Sequence, residues 1–80
     1  MPAKAKALTW EERASRYLKA ELKRADVTYE ELAARLAKHG FKGETKASIA
    51  NKLARGTYAA TFLFACLAAL ELEGVRLEDI

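Results

Sequence analysis

Among its 80 residues the chain has one cysteine, one histidine, one proline and four glycines, and each shortage excludes a class of protein. A lone Cys66 cannot close an internal disulfide. It sits in an apolar run, where a thiol behaves as a small hydrophobe, so the expected setting is a reducing cytoplasm. His39 stands at a predicted helix end beside Gly40, where it suits capping carbonyls better than acting as a base or ligand. Cys66 is 27 residues away, so neither a Cys-His nucleophile nor a metal cluster is expected. The acidic pairs Glu11-Glu12, Glu30-Glu31 and Glu78-Asp79 are adjacent, whereas neighbours on one helix face lie three or four apart. There is also no glycine-rich phosphate loop. The reading is of a chain that is not an enzyme and needs no cofactor or metal.

Valine and isoleucine are scarce, two of each, while alanine, leucine, lysine, arginine and glutamate dominate, which favours helix over strand, and no sheet is expected. The longest apolar stretch, Phe62 to Leu70, is far below the roughly 20 residues that span a bilayer, and the start has no apolar core of signal-peptide type. No membrane role is expected. The composition is 51% hydrophobic, too apolar for disorder, and the length allows one domain. The expected organisation is a flexible basic arm over 1–8, carrying Lys4 and Lys6, and one helical domain over 9–80. The fold class is all-α, with four to five short helices.

Charge is unevenly spread. Residues 1–58 hold thirteen bases against seven acids, net +6, and residues 59–80 hold one base against four acids, net −3. Six of the bases (Arg35, Lys38, Lys42, Lys46, Lys52, Arg55) lie between Arg35 and Tyr58 with Glu44 as the single acid. A +5 segment of that length suits a polyanion-facing surface.

Helix signals recur along the chain. Thr9 and Glu12 form a capping box, followed by Trp10, Ala14, Tyr17, Leu18, Leu22 and Ala25 at helical spacing, which predicts a helix from about Trp10 to Ala25 with Trp10 as a core anchor. A second box, Thr28 with Glu31, opens a helix with the face Tyr29, Leu32, Ala33 and Leu36, ending near Lys38. Gly40 suits its C-terminal turn, and Phe41 is expected to return to the core. A third helix, about Lys46 to Arg55, has Ile49, Ala50, Leu53 and Ala54 on one arc and Ser48, Asn51, Lys52 and Arg55 on the other. Gly56 stops it. Ala59 to Leu72 forms a fourth helix, apolar nearly all round, and Leu77 with Ile80 would close the core as a lid.

Two helices joined by a turn, the second with a polar outer face, make a helix-turn-helix arrangement. Lys52 and Arg55 can donate to guanine edges or phosphates, Asn51 can pair with adenine, and Ser48 and Thr45 can bond bases or phosphates. Lys46, Lys42 and Lys38 are expected phosphate contacts. The helix starts at Thr28-Tyr29 and Thr45-Lys46 could each hold a phosphate, and Lys4 and Lys6 could follow a groove. A fourth helix without a polar side needs cover, which points to a homodimer through Phe62, Phe64, Leu67 and Leu70. The alternative is a small adaptor that binds a protein partner through helix 59–72. RNA is the lesser expectation, since no aromatic platform is evident.

The residues from Leu18 to Ile80 also resemble the lambda-repressor-like, or Xre-type, helix-turn-helix domains. Thr28-Tyr29-Glu30-Glu31-Leu32-Ala33 looks like that family's opening of its second helix, and Leu53-Ala54-Arg55-Gly56 is similar to the signature that closes its third, with Ala54 replacing the usual acid. Two departures stand out: Lys38 to Gly43 lengthens the turn by about six residues, and the link after Gly56 lacks the family's proline. Short bacterial proteins without an assigned activity carry a similar long-turn variant. The resemblance implies a bacterial, cytoplasmic, nucleoid-associated regulator of transcription, a repressor for example, that binds double-stranded DNA.

Overall fold

The computed structural model describes residues 8–80. Four helices follow in chain order: α1 (Trp10–Ala25), α2 (Tyr29–Lys38), α3 (Lys46–Arg55) and α4 (Ala60–Ala69), with a terminal 3-10 turn at Leu77–Asp79. Among the described residues there is no strand. The expectations for Lys4 and Lys6 fall outside the described residues.

Local capping sets the helix starts. Thr9 Oγ1 accepts the Glu12 N–H (3.1 Å) while Glu12 Oε1 accepts the Thr9 N–H (2.9 Å), the reciprocal pair that the spacing predicted. Thr28 Oγ1 accepts the Glu31 N–H in the same way. Glu31, however, does not fold back to complete the box, because its carboxylate is taken by Arg35 one turn on, at 2.9 Å. At α3 the box uses a serine: Thr45 Oγ1 accepts the Ser48 N–H and Ser48 Oγ accepts the Thr45 N–H.

The ends are equally local. After α2, Phe41 N–H reaches the Leu36 carbonyl (2.9 Å) and Gly40 N–H the Ala37 carbonyl (3.0 Å), with Gly40 at φ +85°. This is the paired bonding of a Schellman turn, which needs a left-handed residue at that point. The same pattern closes α4 through Leu72 to Leu67 and Glu71 to Ala68, but here the left-handed residue is Glu71, at φ +60°. Helix four therefore stops at Ala69 instead of running on to Leu72. His39, at the α2 cap, turns its Nδ1 to the Arg35 carbonyl (3.0 Å), as its position predicted.

The packing order differs from the chain order: α1 lies on α3, α3 on α2, and α2 on α4. Leu18 and Leu22 of α1, Val27, Leu32 and Leu36, Ile49 and Leu53, and Phe62, Cys66, Ala69 and Leu70 form one buried cluster. Each fully buried Leu or Phe contributes on the order of 2 kcal/mol by leaving water. Tyr58 and Phe41 set their ring edges against Phe62, with centroids 5.2 and 6.0 Å away. Phe41 is how the long turn is anchored. Tyr58 also donates its hydroxyl to the Ala14 carbonyl (3.1 Å), so it links α1 to α4.

Three expected packing roles are corrected. Trp10 is 63% exposed and stacks under the Arg13 guanidinium, which stands 4.3 Å from its ring centroid, since it lies about 100° around the helix from the line bisecting the buried Leu18 and Leu22. Leu77 is 68% exposed and is no lid. Phe62 and Leu70, expected at a seam between two copies, are interior residues of one chain.

Candidate nucleic-acid interface

The buried residues of α3 define its outer face. At about 100° per residue, Asn51 lies about 180° from the line bisecting Ile49 and Leu53, and Arg55 and Ala47 lie about 140° from it. Asn51, Arg55, Ala47 and Ala54 are exposed, as are Thr45 and Lys46 at the helix start. Lys52 lies about 80° from that same line, at the edge of the core, and Ser48 about 120°. The expected stripe of Ser48, Asn51, Lys52 and Arg55 is thus divided, with Ala54 on the outside rather than packed.

Glu44 divides it. Its side chain is 9% exposed and lies under the start of α3, where one carboxylate oxygen accepts the Ser48 hydroxyl (2.6 Å) and the other meets Lys52 Nζ at 3.1 Å. Lys52, 29% exposed, also stands 5.5 Å from the centre of the Phe62 ring. Ser48 and Lys52 therefore hold the turn to the helix. The sequence shows Glu44 as the single acid of the basic segment, and that isolation was the available signal for its role as an internal counter-ion.

The remaining cations are outward. Lys38 at the end of α2, Lys42 in the turn, Lys46 and Arg55 are all exposed, and none makes an ion pair with a described residue. Arg35, by contrast, is bound to Glu31 and reaches the Ala69 carbonyl (3.4 Å), bracing α2 against α4. Thr28 is exposed at the start of α2, and Tyr29 is half-buried against the core.

Two openings flank α1. A groove of about 710 Å³ separates it from the C-terminal segment. Part of its charge is satisfied internally: Arg13 donates to the Ile80 carbonyl, and Arg24 and Arg76 pair with Glu21 and Glu78, while Arg16 and Asp79 border it without an ion pair to a described residue. A shallower cleft of about 280 Å³ lies between α1 and the end of α3, bordered by Glu11, Glu12, Ser15, Arg16, Ala54 and Arg55.

Helix α4 carries no charged residue, and its outer side is apolar, with Phe64 65% exposed and Leu67 half-buried. Its Cys66 is buried, and desolvation, with the Glu44 charge adding to it, pushes the thiol up to about 12. Among the described residues no three His, Cys, Asp or Glu side chains are grouped to hold a metal ion, and no helix is long and apolar enough to cross a membrane.

A family model described as "Domain of unknown function (DUF6471)" matches residues 10–75, from the first residue of α1 to the segment beyond α4. No curated protein and no solved structure matches the chain.

Proposed function

Because the chain belongs to the DUF6471 family, described as a domain of unknown function, its role must be argued from its own side chains, and we propose that it is a sequence-specific double-stranded DNA-binding regulator. On this reading α2 and α3 are the pair of a lambda-repressor-like helix-turn-helix with a lengthened turn, and α3 enters the major groove. The observation that carries it is the outer face of α3. Asn51 and Arg55 stand one turn apart and exposed, Lys38, Lys42 and Lys46 are exposed along the end of α2, the turn and the start of α3, and none of these cations pairs with a described acid.

That set divides by chemistry. Asn51 can bond adenine bidentately and Arg55 guanine, while the lysines, with the first helical amides that follow Thr28 and Thr45, bind phosphates. Ser48 and Lys52 support the helix from below. Two copies joined through Phe64 and Leu67 would present two such helices to a two-fold DNA site in the bacterial cytoplasm. The test is fluorescence anisotropy with genomic fragments, comparing the wild type with Asn51→Ala/Arg55→Ala. Loss of discrimination between fragments is expected, and unchanged affinity and unchanged preference in the double variant would overturn the groove-reading role.

A second reading, a protein-binding adaptor, is favoured by one observation, the exposed Phe64 on an uncharged helix. Light scattering separates the two. A dimer that Phe64→Asp converts to monomer supports the first reading, and a wild type that is already monomeric supports the second.

A further inference from the structure

The exposed face of α1 carries charge that the α3 reading leaves unused. Arg16, Lys19 and Lys23 are exposed and fall within an arc of about 60° around the helix, about 80° to 140° from the line bisecting the buried Leu18 and Leu22. None pairs with a described acid. Glu21 is held by Arg24 at 2.8 Å, and Glu12, one turn before Arg16, is folded back on the Thr9 amide, while Asp26, one turn after Lys23, is exposed and forms no ion pair with a described residue. Arg16 and Lys23 are seven residue steps apart, about 10 Å at 1.5 Å per residue, and one DNA strand places a phosphate every 3.4 Å of axis, so three cations match about three phosphates.

The row also joins the α3 face. Arg16 and Arg55 border the same cleft between α1 and the end of α3. We propose that the outer face of α1 is a phosphate-binding strip that continues the α3 surface onto the flanking DNA backbone. The proposal rests on the DNA-binding reading of α3 and extends it. DNA is favoured over a lipid surface because the exposed residue between these cations is Ala20, which has no side chain to insert among acyl chains.

The experiment measures binding of the full chain to a mixed-sequence 24-base-pair duplex between about 50 and 200 mM salt. It compares the wild type, Asn51→Ala/Arg55→Ala, and Arg16→Gln/Lys19→Gln/Lys23→Gln, with thermal melting of each to confirm folding. The triple glutamine variant is expected to melt like the wild type, to bind at least about tenfold more weakly at the lower salt, and to lose about two to three from the slope of log affinity against log salt, near 0.9 per phosphate contact. Its loss is expected to be the same on a scrambled duplex. If the wild type binds and the triple variant matches it, the strip is overturned while the α3 reading stands. If the wild type binds no duplex, both fall. If the triple variant loses binding to phosphatidylglycerol vesicles but not to DNA, the strip is a lipid surface and the proposal is overturned.

Discussion

Gly56 lies directly against the backbone of Glu11. A Cβ on Gly56 would stand 2.7 Å from the Glu11 carbonyl carbon and closer still to its oxygen, and Gly56 has φ +71°. The end of α3 and the first turn of α1 can meet only where a side chain is absent. Ser15 continues the junction by donating its hydroxyl to the Leu53 carbonyl. Because Arg55 and Arg16 flank this junction, it also sets the relation between the two basic surfaces.

The first prediction is therefore that Gly56→Ala costs about 2–4 kcal/mol, the left-handed backbone and the clash with Glu11 acting together. Urea unfolding measures it. A loss below about 1 kcal/mol would mean that α1 can move off α3 without consequence.

Glu71 has the opposite sign. It closes α4 at φ +60° with its side chain exposed, a conformation that a residue with a Cβ adopts at a cost of about 1 kcal/mol. Glu71→Gly is expected to raise stability by about 0.5–1 kcal/mol despite the added freedom of the unfolded chain. The midpoint of thermal unfolding should rise.

Lys52 and Arg55 should separate stability from binding. Lys52→Ala leaves the Glu44 carboxylate under α3 without its cation, so it is expected to cost about 1–2 kcal/mol, below the full penalty of a buried pair because Lys52 is partly solvated. Arg55→Ala is expected to leave stability within about 0.5 kcal/mol and to weaken DNA binding. Chemical denaturation and anisotropy on the same two variants check both halves.

High pH should destabilise the fold. Burial holds the Cys66 thiol up to about 12 from its ordinary 9.0 and the Tyr58 hydroxyl up to about 12 from 10.0. Both groups keep their protons in the folded chain after the unfolded chain has lost them. Their contribution is whole below pH 9 and declines as pH rises from 9 through 12. Denaturant midpoints across that window measure it, and Cys66→Ala/Tyr58→Phe should flatten the fall. The same burial predicts that a thiol reagent labels Cys66 at pH 8 only as fast as the chain opens.

The capping signals were legible in the sequence because they act over three or four residues. Thr9 with Glu12, Thr28 and Thr45 marked the starts of α1, α2 and α3, and Gly40 and Gly56 the stops of α2 and α3, wherever the chain lies in space. The apolar spacing likewise marked Leu18, Leu22, Leu32, Leu36, Ile49 and Leu53 as interior. The end of α4 was not legible, since Glu71 is no usual helix stop and takes its left-handed turn as Leu70 and Leu72 pack inward.

The candidate interface was legible only in part, for the same reason of range. Periodicity separates the inner from the outer side of α3, and so it identified Asn51 and Arg55 correctly as outward. It cannot assign a residue at the boundary. Lys52 turns inward because Glu44, eight residues earlier, and Phe62, on another helix, meet it there. The sequence by itself determined the helices, their starts and their apolar faces, since those follow from contacts within one or two turns. Tertiary structure decided which polar groups stay free for a partner, because ion pairing and burial depend on neighbours that only the packed chain supplies.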